Sequence, residues 1–418
     1  MIVCDHHTPG DELPDAYAIL NPKKSNCDYP FKDLCGCGIG YKLIQAFTLH
    51  QGHNADYVAE YLDFVAVAIG ADIVPIVGEN RVLANYGLKQ INSNPRLGFK
   101  TLLESGNKFS NVSISDLVFT VAPRVNAAGR ISHASAAVEM MLVENRSKAE
   151  EWAEVINGHN AERKMLDQSI TEAALHLVET DDFYKKASST VVWNEGWHKG
   201  VVGIVASRLI ENYYKPTIVL ALKGNEATGS ARSVKGFDVL NAIEQCSDLL
   251  TKFGGHKYAA GLSLPKEKLE EFRARFESVV DSSIPEELKK PKLVINAEID
   301  SEDLKPETLG NPFPKLFRLV EQFAPFGPRN MRPVFLLRNL KDTGYSKVVG
   351  EDHLKVSLKC ERTGQIFSGI CFGKANKLEL LKESNVDVVF SLSLNEFRGT
   401  REIQLDVKDF RLAGEFVV

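Results

Sequence analysis

Residues 2–7, Ile-Val-Cys-Asp-His-His, run strand-forming side chains straight into a carboxylate and two imidazoles. β-Branched residues favour extended backbone, and α/β proteins gather ligands where parallel strands end at their carboxyl edge. The stretch reads as the last half of a β-strand that delivers Asp5, His6 and His7 to a site. Neighbouring side chains on extended backbone point to opposite sides, so one imidazole can hold a metal while the other faces substrate. Paired histidines also open ordinary loops, so the tripeptide needs company.

That company begins at Asp72, 66 residues beyond His6. It follows the apolar run Phe64 to Ile69 and precedes Pro75, which places it at the end of a second strand, although a turn or capping aspartate has the same neighbourhood. Histidine with carboxylate suits Mn²⁺ or Mg²⁺ better than zinc. With a helix over Gly38 to Gln51, strands alternate with helices, the pattern of a parallel sheet. Residues 80–145 read as mainly helical, interrupted at 123–130, and Ser147 to Glu179 as one long helix able to bridge domains. A second α/β unit has strands Thr190–Trp193 and Thr217–Leu222 around a helix at 202–212. It closes near Val280, and the charged, proline-containing stretch 281–291 reads as a linker. Short strands then follow at 293–299, 333–338, 353–358, 366–372, 386–394 and 402–407, a small β-barrel or sandwich.

Three anion-type clusters accompany this frame. In APRVNAAGR (122–130), Arg124 and Arg130 flank small residues that let a polyanion approach, and guanidinium forks hold phosphate oxygens bidentately. In TGSAR (228–232), Ser230 and Arg232 are donors. In FGGHKYAAG (253–261), Gly255 and His256 read as the start of a helix whose N–H groups face an anion. Each also reads as an ordinary turn with surface side chains.

The 418 residues imply two to four domains. Hydrophobic residues at 44% and charged residues at 25% argue against a disordered chain and a membrane protein. No apolar run is long enough to span a bilayer and no secretory signal is visible, so a cytoplasmic location is expected. Seven cysteines without a repeating frame imply reduced thiols. Cys35-Gly-Cys37 lacks the second pair a zinc site needs and reads as small residues where a loop enters a helix. Net charge is −5, yet residues 289–418 carry +3, so the basic part lies at the carboxyl end.

The order DHH (5–7), ADIVP (71–75), APRVNAAGR, GSARS and GGHKYAAG resembles the DHH phosphoesterase superfamily with its DHH-associated second domain. The tail segments FAPFGPRNMRPVF (323–335), VVGEDHLKVSL (348–358) and LNEFRGTREIQLDVKDFR (394–411) are similar to the oligonucleotide-binding-fold domain of the RecJ branch, single-strand-specific 5′ to 3′ DNA exonucleases. The resemblance implies a truncated DHH domain with a partial doubly wound parallel sheet over 1–146, and a helical connector over 147–180. A DHH-associated α/β domain over 181–280 and an oligonucleotide-binding-fold β-barrel over 290–418 complete it.

By the same resemblance, His6 and Asp72 are ligands of catalytic Mn²⁺ or Mg²⁺, Asp5 supports His6, and His7 faces the scissile phosphate. Arg124, Asn126 and Arg130 match a phosphate-contacting loop, and Ser230, Arg232, Gly255 and His256 a site for the 5′-terminal phosphate. The implied chemistry is two-metal phosphodiester hydrolysis of single-stranded DNA in repair and recombination, with single-strand-binding protein or a helicase as further partners. The family's aspartate-rich motifs, expected ahead of the DHH triplet, are not in this sequence, so the resemblance implies a chain lacking the amino-terminal part and impaired in hydrolysis. Two alternatives stand: a catalytically silent single-strand-binding module, and a phosphodiesterase for oligoribonucleotides or cyclic dinucleotides. Phe323, Phe326, Arg329, Arg332, Phe335, Tyr345, Phe397 and Arg398 interleave aromatics with cations as strand binding needs, with Phe335 reading as barrel core.

Overall fold

The computed structural model describes all residues except Asp11, Ser132, 307–311, 398–399 and 416–418, and at Phe397 the backbone alone. Two compact units divide the chain. The first comprises Met1–Pro95, Ser110–Val118 and Leu293–Val418, the second Arg96–Phe109 and Phe119–Lys292.

In the first unit, β1 (Ile2–Cys4) pairs in parallel with β2 (Ala18–Leu20), with Ile2 opposite Ala18 and Cys4 opposite Leu20. The strand expected before the Asp-His-His triplet is therefore present. Helices Gly36–His50, Leu62–Ala71 and Gly78–Ser93 follow. Cys35 caps the first through its sulfur, which accepts from the Gly38 N–H, as expected for a loop entering a helix. The strand expected over Phe64 to Ile69 is instead the middle of the 62–71 helix. A short continuous apolar run is compatible with either element, and packing decides it: Leu62, Val65, Ala66 and Ile69 are buried together. Gly87 lets the next helix approach so closely that a Cβ there would lie 2.2 Å from the Leu62 carbonyl oxygen.

Among the described residues the same unit carries seven further strands: β8 (Ala297–Glu298), β9 (Phe335–Asp342), β10 (Lys347–Val349), β11 (His353–Cys360), β12 (Ile366–Cys371), β13 (Val386–Phe397) and β14 (Thr400–Leu412). Their order is β10-β11-β12-β14-β13-β9-β8, and a further β11–β9 pairing closes β9, β11, β12, β14 and β13 into a five-strand ring. This is the expected barrel. Strict alternation along β11 sends Leu354, Val356 and Leu358 inward with Phe335, Phe390 and Phe410, and leaves His353, Lys355 and Lys359 outside. The segment before β9 docks on the entrance to the 78–93 helix, where Ile76 N–H donates to Pro328 O at 2.8 Å.

The second unit holds a five-stranded sheet of β3 (Thr190–Glu195), β4 (Thr217–Lys223), β5 (Glu226–Arg232), β6 (Lys252–His256) and β7 (Ala259–Pro265), ordered β3-β4-β5-β7-β6. Only β3 and β4 are parallel, joined through the helix Val202–Tyr213 as the βαβ pattern requires. That helix and the helix Arg146–Thr180 bury Val192, Val205, Leu209 and Val219 on one face. The helix Leu269–Ser283 buries Val191, Ile218, Leu220, Phe272 and Phe276 on the other.

Three expectations in this unit are corrected. The 123–130 interruption is helical, within Ala122–Ile131; Pro123 follows the π-helical turn Leu117–Val121, a wider turn of the kind that accommodates a residue without an N–H in a helical run. FGGHKYAAG does not start a helix but forms the β6–β7 hairpin, with His256 opposite Ala259 across the turn. Its small residues allow close strands: a Cβ on Gly255 would lie 2.4 Å from Ala259 O. The stretch expected as a linker from Asp281 is still helical to Ser283.

Candidate metal and phosphate sites

His6 and Asp72 come together in the first unit. His6 Nε2 lies 3.7 Å from Asp72 Oδ2, the imidazole being largely covered and the carboxylate half-exposed. Asp72 stands not at a strand end but at the carboxyl cap of the 62–71 helix, followed by Ile73 at φ 55°. Burial pushes the His6 pKa below its ordinary value against the opposing pull of Asp72.

Asp5 supports the triplet by a different route from the one expected. Its Oδ1 accepts from the His6 and His7 N–H groups at 2.8 and 3.3 Å and pairs with His7 Nδ1 at 2.8 Å. The carboxylate thus fixes the backbone of His6 and the ring of His7. The two imidazoles are neighbours, with centroids 4.5 Å apart, rather than pointing apart.

Two side chains missed in the sequence hold this geometry. Asn21, buried at the end of β2, donates Nδ2 to His7 O at 2.8 Å. Asn80, fully buried, donates to Asp33 O and Pro75 O at 2.6 and 3.0 Å, bracing the turn after Asp72. An asparagine directly after a strand is a detectable signal for the first; nothing local distinguishes the second.

One imidazole and one carboxylate fit a hard divalent ion as part of a ligand set, with water completing the sphere. Among the described residues no group of three or more His, Cys, Asp or Glu side chains converges, so a two-ion set is not assembled from them.

The anion-type residues lie in the second unit. Arg232 Nη1 donates to Ser230 Oγ at 2.7 Å and to Ala231 O at 2.8 Å. Burial, and then the nearby Arg130 guanidinium, lower the pKa of Arg232. The Arg232 cation is thus held where its charge is disfavoured, a condition that an anion relieves. Arg130 Nη1 donates to Gly200 O at 2.9 Å. His256 shares a sheet rung with Arg232, both lying opposite Ala259, so the two occupy the same face two strands apart.

Arg124 is placed differently. Its guanidinium donates to Asn157 Oδ1, Thr120 O and Ser105 O at 2.8, 2.7 and 3.3 Å, fastening the 122–131 helix to its surroundings. Asn126 is exposed on the same helix.

In the barrel, Phe335 is core, as expected. Arg332 lies over the Phe326 ring at 4.2 Å and donates to Leu392 O, so both serve packing. Arg329 is exposed and pairs with Asp33 at 3.4 Å. Phe323 and Tyr345 are exposed, joined by Phe372, which sequence reading missed. Arg398 and the Phe397 side chain lie outside the described residues.

The DHH family N-terminal domain matches residues 1–69, the DHHA1 domain 184–282 and the RecJ OB domain 297–409. The single-stranded-DNA-specific exonuclease RecJ of Salmonella typhimurium is 34% identical over 435 residues, covering 98% of this chain and 72% of that protein. The chain belongs to the RecJ family. RecJ of Bacillus subtilis is 35% identical over 98% of the chain, which spans half of that relative's length. Crystal structures of Thermus thermophilus RecJ in complex with Mn²⁺ and with Mg²⁺ superpose with TM-scores of 0.82 and 0.80 at 27% and 26% identity, covering 100% and 98% of this chain and 59% of theirs. Among the described residues no helix is long and apolar enough to cross a membrane.

Proposed function

We propose that this chain acts on single-stranded DNA as a metal-dependent 5′ to 3′ exonuclease, dividing over 1–146, 147–180, 181–280 and 290–418 as its sequence suggests. The observation that carries the reading is the meeting of His6 and Asp72 at 3.7 Å although 66 residues separate them in the chain. Family membership supports it, as do the ions bound in the Thermus structures.

A Mn²⁺ or Mg²⁺ ion held by His6 and Asp72 supplies charge neutralisation at phosphate and an acidified water. Asp5 keeps His7 beside it in a fixed orientation. Arg232, Ser230 and Arg130 take the 5′-terminal phosphate, because their guanidinium and hydroxyl donors match phosphate oxygens and their crowded positive charge favours an anion. His256 and Gly255 line the same edge of the sheet, and Arg124 and Asn126 hold and flank the helix that brings Arg130. The outer barrel face, with Lys347, Lys355, Tyr345 and Phe372, tracks the strand. Roles in repair and recombination, a cytoplasmic setting, and contact with single-strand-binding protein or a helicase belong to the same proposal.

A second reading is favoured by one observation, the absence of a three-donor metal group among the described residues: a strand-binding module that does not hydrolyse. One experiment separates the two. Mn²⁺-dependent release of nucleotides from 5′-phosphorylated single-stranded DNA by the purified chain, lost in His6→Ala, supports the exonuclease. Binding of the same DNA with no release supports the module.

A further inference from the structure

Gly203 occupies the first turn of the Val202–Tyr213 helix and is buried. Its backbone is helical, so conformation does not call for glycine, and glycine is disfavoured against alanine inside a helix. Space is the remaining reason. A Cβ at Gly203 would lie 2.9 Å from Arg232 Nη2 and 3.1 Å from Ser230 Oγ.

Three residues earlier the same turn meets the other arginine: Gly200 O accepts from Arg130 Nη1 at 2.9 Å, and a Cβ on Gly200 would lie 2.8 Å from Arg130 O. Val201 N–H donates to His198 O at 2.9 Å and Gly200 N–H to His198 Nδ1 at 3.2 Å, which keeps the turn tight. One short segment thus contacts two guanidinium groups that arrive from a helix and from a strand.

We propose that Gly203 is a specificity-determining positioning residue: by carrying no side chain it lets the Arg232 guanidinium and Ser230 hydroxyl sit against the start of the 202–213 helix, aimed with Arg130 at one terminal phosphate. The inference rests on the reading of Ser230, Arg232 and Arg130 as a 5′-phosphate site. Because the nearest atom is the far end of a flexible side chain, Gly203→Ala displaces the guanidinium and leaves the fold in place.

The test measures binding of the full chain to two oligonucleotides of one sequence, 5′-phosphorylated and 5′-hydroxyl, in EDTA so that nothing is hydrolysed. The parent binds the phosphorylated end more tightly. Gly203→Ala lowers that preference by about tenfold, the scale of one charge-assisted hydrogen bond, with hydroxyl-end binding and melting midpoint retained. Lysine has no Nη2 for the new methyl to strike, so in an Arg232→Lys background Gly203→Ala changes the preference by less than about twofold, a non-additivity that marks direct contact. An undiminished preference in Gly203→Ala, equal weakening of both ends, loss of the folded state, or an equal loss in the Arg232→Lys background overturns the role of Gly203. A parent without preference, or Arg232→Ala that keeps it, overturns the phosphate site itself and the inference with it.

Discussion

Arg208 holds Asp167 from across a helix pair, with Nε 3.1 and 3.2 Å from the two carboxylate oxygens and Nη2 3.1 Å from one of them. Asp167 is buried in the long 146–180 helix, where Arg163 also approaches it at 3.7 Å. Removing one partner of a buried ion pair strands the other charge. Because Arg208 is half-exposed and Arg163 stays beside the carboxylate, Arg208→Ala is expected to cost about 1–2 kcal/mol, read as a lowered denaturant midpoint at unchanged slope. The double change Arg208→Leu with Asp167→Leu is expected to recover only part of that loss, since it removes the buried carboxylate but leaves the largely covered Arg163 guanidinium without it.

Lys347 and Lys355 face each other directly across β10 and β11, both exposed. Like charges in that position destabilise a strand pair by a few tenths of a kcal/mol, and a phosphate backbone would compensate them. Lys355→Glu therefore trades one property for another. It raises the thermal midpoint slightly while weakening single-stranded DNA binding, and lowers the slope of log K against log salt by about 0.7 for the lost phosphate contact. Titrations at several salt concentrations check the slope, and an unchanged slope removes this face from the strand path.

Ile73 takes a left-handed conformation although β-branched and largely exposed. That geometry strains an isoleucine by about 1–2 kcal/mol, partly offset in any glycine substitution by unfolded-state entropy. Ile73→Gly is expected to stabilise the chain by about 0.5–1 kcal/mol, or roughly 2–3 °C in melting midpoint. The same change loosens the turn that carries Asp72, so Mn²⁺ affinity measured by titration falls as stability rises.

Burial pushes the Cys35 thiol up to about 12, and those of Cys246 and Cys371 up to about 11, from an ordinary value of 9.0. A group whose folded pKa is raised adds stability below its unfolded pKa. That stability is lost as pH rises, because the unfolded thiol ionises first. Stability is expected to fall from about pH 9 toward pH 11–12. At pH 8 iodoacetamide should label the half-buried Cys4 and Cys27 and spare Cys35 until urea unfolds the chain, which mass spectrometry of tryptic peptides reads directly.

The barrel strands were legible because β11 and β12 alternate inward and outward side chains with period two and β13 opens on a β-branched and aromatic run, and the long helix because 35 residues pass without proline or an apolar interruption. The 62–71 helix was not, since its apolar residues are covered on several sides and leave no periodic signal. The hairpin at 252–265 was misread because paired glycines open both helices and tight strand pairs. At the candidate metal site, His6 and Asp72 were visible as residue types at a spacing, while Asn21 and Asn80, which brace the segments that carry them, act through main-chain carbonyls that only the folded chain brings near. Arg130 and Arg232 were visible too, but the glycine between them was not, because its contribution is an empty volume.

The five-strand ring sets an order of events in time. β9 pairs with β11 nearby in sequence, but it also pairs with β13, and β12 pairs in parallel with β14, so closure waits for residues up to Leu412. On a ribosome the second unit, whose segments end at Lys292, can already be folded while the first still waits for residues 293–418. The Asp-His-His triplet thus belongs to a compact unit that also needs Leu293–Val418, residues made only after the whole of the second unit.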